Sequence, residues 1–269
     1  MRVLTQNVWG HAGDWPARRR VVREGLASLA PDLVSFQEAI VQDDYDQVVD
    51  ILGPGFHVFH ATRRGPDRAG ASIASRWPFT AIREVDLQLS ARTADFPCVA
   101  LLADVDAPAP IGGVLFVQHW PSWQLDYERE REQQAVIAAR AIADALKRRP
   151  AHVVLAGDLD ADPFSSSVRF WTGRTSLEGL SVCYRDAWES VHGIDGGETF
   201  TPRNPVLVDW DWPFRRIDYV FVRCGKHGGP TLAIDRCEVV FDEPDAGTWA
   251  SDHFGVMADL VVPPRSIPD

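Results

Sequence analysis

Three carboxylates, Asp158, Asp160 and Asp162, occupy alternate positions in the stretch Val153-Val154-Leu155-Ala156-Gly157-Asp158-Leu159-Asp160-Ala161-Asp162-Pro163. The β-branched and aliphatic residues ahead of them read as a buried strand, Gly157 lets the backbone turn, and Pro163 stops any continuation. Alternation points Asp158 and Asp160 to the same side. Carboxylates at the mouth of an apolar strand are costly to desolvate unless a cation meets them. The stretch therefore reads as a divalent-metal or phosphate-chemistry site, or as a strand-end loop whose Asp side chains cap the next turn.

Other strands end in the same manner. Arg2 to Val8 delivers Asn7, Leu33 to Glu38 delivers Glu38, and the strand from Gly112 to Gln118 delivers His119. Arg216 to Val222 carries Asp218 within an apolar run, and Ser251-Asp252-His253 leads into the strand Phe254 to Leu260. Stacked sheets would let these ends converge on one mouth, where open sheets tend to place ligand-binding groups. A hard cation such as Mg²⁺ takes one or two carboxylates plus waters and substrate phosphate; Glu38 and Asp252 are suited to supply them. His119 and His253 add acid–base capacity near neutral pH.

The elements that must position these groups are legible as well. Pro16 to Ala30 predicts a helix, with Val21, Val22, Gly25, Leu26 and Leu29 recurring at three and four. Tyr45 to Leu52 predicts a short helix, and Leu125 to Arg149 the longest one, with Ala135, Ala138, Ala139, Ile142, Ala145 and Leu146 as its buried stripe. Further strands are expected at Phe56 to Phe59, Ala71 to Ser75, Ala81 to Leu89, Cys98 to Val105 and Ala233 to Phe241. Ser165 to Pro213 reads as loop-rich. Strands in pairs with few helices between them predict two mixed sheets rather than one doubly wound parallel sheet.

The chain has 269 residues, 45% hydrophobic and 24% charged, with a formal net charge of −11. That charge disfavours non-specific nucleic-acid binding, which rests on Lys and Arg, while leaving room for a local basic patch. All but Lys147 and Lys226 of the 27 basic residues are Arg, a bias that suits bidentate phosphate contacts but that a GC-rich genome also produces. Cys98, Cys183, Cys224 and Cys237 have no zinc-ligand spacing and are expected to be buried thiols in a reducing compartment. With no membrane-length apolar run and no signal-peptide core ahead of the first strand, a cytoplasmic protein is expected.

The ordered set Thr5-Gln6-Asn7-Val8-Trp9, Phe36-Gln37-Glu38, Ile73-Ala74-Ser75-Arg76-Trp77-Pro78, His119, Gly157-Asp158-Leu159-Asp160, Arg216-Ile217-Asp218-Tyr219 and Ser251-Asp252-His253 spans nearly the whole chain. It resembles the endonuclease/exonuclease/phosphatase superfamily, which includes deoxyribonuclease-like enzymes, abasic-site endonucleases, neutral sphingomyelinases and inositol polyphosphate 5-phosphatases. The resemblance implies one domain over residues 1–269, a four-layer α/β/β/α sandwich of two packed mixed sheets. It implies Mg²⁺ or Mn²⁺ bound by Glu38 and Asp252, with Asn7 holding metal-site waters and the phosphate. Asp218 would orient His253 toward the scissile phosphate, Asp158 would handle the attacking water or the leaving-group proton, and His119 would match the general-acid histidine.

One position departs from the family: Asp160 stands where Asn is usual. An ionised carboxylate accepts but cannot donate to a phosphate oxygen, so Asp160 is protonated, or a second divalent ion lies over Asp158 and Asp160, or the substrate is handled differently. The second ion is the favoured expectation. Trp9, Trp77, Trp120, Trp123, Trp171 and Trp212 are expected near the rim, as stacking surfaces or ordinary packing. Arg169 and Arg174, with Arg203 and Arg215, are candidates for a second substrate phosphate. The leading expectation is a phosphohydrolase of a phosphorylated small-molecule or lipid-derived substrate. The alternatives are a nuclease of the same fold and a phosphate-ligand binding module without catalysis.

Overall fold

The computed structural model describes residues 1–208, 211–226 and 228–263; Trp210 and the tail from residue 264 lie outside them. Among the described residues twelve strands form two six-stranded sheets. The first contains β1 (Arg2–Asn7), β2 (Leu33–Ile40), β3 (His57–His60), β4 (Ala69–Ser75), β11 (Ala233–Val240) and β12 (Gly255–Val261), in the order β11-β12-β1-β2-β4-β3. The second contains β5 (Phe79–Asp86), β6 (Val99–Ala107), β7 (Gly112–Trp120), β8 (His152–Asp158), β9 (Tyr184–Asp186) and β10 (Asp218–Arg223), in the order β5-β6-β7-β8-β10-β9.

Each sheet is built on a parallel pair, β1 with β2 and β7 with β8, flanked by an antiparallel strand, β12 or β10. Both sheets are therefore mixed. In each, the C-terminal ends of the parallel pair meet the N-terminal end of the antiparallel neighbour. This is what brings residues distant in sequence to one edge.

Alternation along the strands divides the core into three layers. Val3, Leu101, Phe116, Val154, Val220 and Val256 pack between the sheets. Leu4, Val34, Phe36 and Met257 face α1 (Trp15–Leu29) and α2 (Gln47–Leu52). Leu115, Val117, Val153, Leu155 and Phe221 face α3 (Glu128–Arg148) and α4 (Ser166–Trp171). The result is the α/β/β/α sandwich expected from the sequence. Within the loop-rich stretch the structure adds α4, the edge strand β9 and α5 (Ala187–His192). Each is too short for periodicity to reveal. No described helix is long and apolar enough to cross a membrane.

The cysteine expectation needs a correction. Cys98, Cys224 and Cys237 are buried, but Cys183, just before the edge strand β9, is exposed.

Candidate active site

At the shared edge of the two sheets lies a cavity of about 420 Å³ lined by Trp9, Glu38, Phe96, Trp120, Trp123, Asp158, Asp160, Phe200, Trp212, Ile217, Asp252 and His253. Asn7, at the end of β1, ties the sheets together. Its amide donates to Glu38 Oε1 at 3.2 Å and to Asp158 Oδ2 at 3.1 Å, while its Oδ1 accepts from the Trp9 N–H at 2.9 Å.

Glu38 reaches the cavity through a local break in β2. The pairing with β4 shifts between Phe36 and Ala39, and Glu38 takes φ +57°. One extra residue in a strand bends it and re-aims a side chain. Phe36 packs on the helical side of the sheet, and without the bulge Glu38 would follow it there. The left-handed backbone is unusual for a glutamate, so the fold carries strain at this residue.

On the second sheet, Asp158 ends β8 and its Oδ1 accepts from the Asp160 N–H at 3.2 Å. Asp160 takes φ +51°, a conformation that Asn and Asp tolerate better than other side chains. Asp218 begins β10 opposite Asp158. Its N–H donates to Thr199 Oγ1 at 3.2 Å, and its Oδ2 pairs with His253 Nδ1 at 3.0 Å. Nδ1 thereby holds a proton toward Asp218 and Nε2 is left for a ligand. His253 is held in turn by backbone contacts, its N–H donating to Ser251 Oγ and its carbonyl accepting from Gln6 Nε2.

The electrostatics follow from packing several carboxylates around one imidazole. Burial, then Asp252, pushes Glu38 up to about 7, against His253 and Asn7, which lower it. Burial, then Asp160 and Asp218, raises Asp158 well above the usual carboxylate range. Asp160 rises to about 6 through burial, partly offset by His253, Arg131 and Arg215, and burial also raises Asp252. Burial works against a charged His253, but Asp218 and Asp158 outweigh it and raise the imidazole well above its ordinary value. The charges of His253 and the nearby arginines do not bring these carboxylates back to their ordinary range, and a divalent cation fits the remaining deficit.

Asp158, Asp218 and His253 bring one ligand atom each within 4.8 Å of one another and could hold an ion between them. The 3.0 Å contact of Nδ1 with Asp218 instead describes a hydrogen-bonded pair. Glu38 and Asp252 both line the cavity and carry the carboxylate oxygens that a hard cation prefers, while Asn7 turns its amide N–H groups toward Glu38 and Asp158.

Several expected residues are not at the cavity. His119 lies on the same face of β7 as Leu115 and Val117, which pack toward α3, and its ring meets Trp171 edge-on at 5.5 Å. It is 1% exposed and its Nδ1 has no partner. Burial pushes its pKa down to about 3. His119 is not among the residues lining the cavity, and the strand presents Trp120 there instead. Trp171 is buried against α3, away from the rim, and Trp77 packs beside the intersheet core. Arg174 pairs with Glu189, Arg169 donates to the Arg174 carbonyl, and Arg203 pairs with Asp242. Arg215 donates to the Asp160 carbonyl at 3.2 Å. None of the four lines the cavity.

Sequence reasoning missed Phe96, Phe200 and Ile217 in the wall, and Arg18 behind it. Arg18 is 4% exposed and donates to the carbonyls of Val8, Trp9, Gly10 and Ala12. Its guanidinium lies 4.9 Å from the Trp9 ring and 5.3 Å from the Trp15 ring. Burial lowers its pKa to about 10, against Asp252 and Glu38, which raise it. A signal was present: Arg18 precedes Val21 and Val22 by three and four, so it falls on the buried stripe of α1.

Residues 4–253 match the model of the Endonuclease/Exonuclease/phosphatase family. A Drosophila melanogaster protein described as a neutral sphingomyelinase is 28% identical over 97% of this chain and 60% of its own length. Human sphingomyelin phosphodiesterase 2 is 23% identical over 100% of this chain and 67% of its own. The chain thus spans only 60% of the Drosophila relative. Among solved structures, TDP2 of D. rerio complexed with a single-strand DNA product superposes with a TM-score of 0.74 at 21% identity, covering 96% of this chain and 97% of that one.

Proposed function

The chain belongs to the endonuclease/exonuclease/phosphatase family, a family of metal-dependent phosphoesterases, and from that premise we propose that it hydrolyses a small or lipid-derived phosphodiester. The observation that carries the substrate class is the make-up of the cavity. Carboxylates form its floor, Trp9, Phe96, Trp120, Trp123, Phe200 and Trp212 form its walls, and among the described residues no Lys or Arg lines it. A nucleic-acid backbone needs cations along its track. Aromatic walls over a negative floor suit an apolar or cationic head group instead. The two sphingomyelin-related proteins support the same class.

Glu38 and Asp252, with Asn7 beside them, would hold Mg²⁺ or Mn²⁺, which would supply Lewis-acid stabilisation of the phosphoryl oxygens. Asp158, its oxygens held by the Asn7 amide and the Asp160 N–H, accepts the proton of the attacking water. His253, kept protonated by Asp218, donates to the oxygens on which charge grows during in-line displacement. Asp160 adds charge where an amide would have donated. A second divalent ion over Asp158 and Asp160 would balance that charge.

The test is turnover by the purified protein with Mg²⁺ or Mn²⁺ on choline-headgroup phosphodiester vesicles, a chromogenic phosphodiester, a chromogenic phosphomonoester and supercoiled plasmid. Hydrolysis of the vesicle lipid or the small diester, lost in His253→Ala and in chelator, supports the proposal. Plasmid nicking with both diesters untouched would replace it with a nuclease, and turnover of the monoester alone with a phosphatase. Calorimetric metal titration of wild type and Asp160→Asn tests the second ion: equal stoichiometry in the two would remove it.

A further inference from the structure

Cys183 and Cys224 stand opposite each other where the edge strand β9 joins β10. The ladder pairs Arg223 with Tyr184, and one step further the Cys224 N–H donates to the Cys183 carbonyl at 2.9 Å. Directly opposite residues on antiparallel strands share a face, with Cα atoms about 5.5 Å apart. That separation is one a disulfide spans without backbone movement. The two Sγ atoms, both free thiols, are already 3.5 Å apart.

The two sulfurs differ in access. Cys183 is exposed and Cys224 is buried. Burial, then the neighbouring Cys183, pushes the Cys224 thiol up to about 12, with Arg185 and Arg223 acting the other way. Beside Cys224 lies a second cavity of about 470 Å³ whose lining includes His152, Arg223, Lys226 and Thr231. His152 begins β8 and Asp158 ends it, so this basic cavity sits at the opposite end of that strand from the carboxylate site.

We propose that Cys183 and Cys224 form a reversible dithiol–disulfide site, oxidised by an anionic low-molecular-weight disulfide. The Cys183 thiolate attacks one sulfur of the reagent, forming a mixed disulfide and expelling one small thiolate. Cys224, its proton passing to the expelled small thiolate, then attacks the Cys183 sulfur and expels the second. The protein loses two S–H bonds and gains one S–S bond, and two small thiols carry away the electrons and protons. The chain between the cysteines carries Phe200, Trp212, Ile217 and Asp218, one wall of the active cavity and its His253 partner. The cross-link closes that excursion into a ring at its base.

Incubating the full chain with oxidised glutathione, followed by non-reducing peptide mass mapping, tests this. The expected product has lost two of its four free thiols, contains the Cys183–Cys224 cross-link, and melts about 5 °C higher until reductant is added. Cys224→Ser should stop at a glutathione adduct on Cys183, and Cys183→Ser should show no thermal shift. A wild-type adduct that persists on Cys183 with Cys224 free, oxidation confined to Cys98 or Cys237, or no reaction would each overturn the proposal.

Discussion

β2 and β7 end with the same problem and solve it differently. Each belongs to a parallel couple, and in each strict alternation would put a polar residue, Glu38 or His119, on the face that turns toward helices. In β2 the register slips by one residue and Glu38 swings into the cavity. In β7 the pairing with β6 runs without a break from Ala107 to Val99, and His119 stays behind against Trp171. Residue type and position at a strand end therefore do not make a site residue; face does, and a single inserted residue decides the face.

The largest effects should come from groups that the folding does bring to the cavity. His253→Ala should lower kcat about a thousandfold or more with a smaller change in KM, measured on whichever diester is turned over. Glu38→Gly should be similarly inactive. It should also raise the melting temperature of the metal-free protein, since glycine relieves both the left-handed backbone and the buried carboxylate; about 1 kcal/mol from the backbone alone corresponds to a few degrees. A metal-free Glu38→Gly protein that melts lower than wild type would break the claim that the bulge stores strain.

Arg18 sharpens the comparison from the other side, because it holds the loop beyond β1 through backbone carbonyls rather than meeting substrate. Arg18→Met should raise KM roughly tenfold while changing kcat less, and it should leave the pH dependence of kcat in place. Equal losses in kcat and kcat/KM at unchanged KM would assign it a role in the transition state instead.

The carboxylate cluster predicts an unusual pH response for the metal-free protein. Glu38 has its pKa raised from 4.5 to about 7. Across that window the folded state binds more protons than the unfolded one, so stability falls as pH rises through it. His253, also raised, prolongs the fall above 6.5 as its folded-state proton is lost. Asp50 and Asp259, whose pKa values are lowered, act in the opposite sense, with their stability lost only as pH falls below about 3.8. Thermal melts in chelator should drop by about 5 °C across the window, and Mg²⁺ should recover most of the loss at its alkaline end. A melting temperature that rises there would show that the carboxylates are already compensated.

The smallest effect should be at His119. His119→Leu keeps the volume and removes an unpaired buried nitrogen, so activity should stay within about threefold of wild type and stability should be unchanged or higher. Loss of turnover in a protein with a wild-type melt would put His119 back into the chemistry.

Strand and helix positions were readable because long apolar runs and helical periodicity are local signals, and Asn7, Glu38, Asp158, Asp160, Asp252 and His253 were found as strand-end polar groups. What could not be read is non-local. The slip in β2 appears only against β4, and the aromatic wall gathers Phe96 and Phe200 from loops on different strands. Nothing local in the sequence marks the partners that Arg174 and Arg169 take, Glu189 and the Arg174 carbonyl.

The first and last strands of one sheet are neighbours: β1 lies between β2 and β12, with Arg2 bonded to Asp259 and the Met1 amine to the Leu260 carbonyl. Asn7 and His253 are thus assembled by a contact that spans almost the whole sequence. During synthesis a ribosome-bound chain lacking residues 255–261 leaves one edge of β1 unpaired and the His253 imidazole unanchored. Formation of this sheet must therefore be a late and slow event, as folds with distant pairings are. A site built this way stays unassembled until β12 has been made, and the exposed β1 edge is where premature association with other chains would begin.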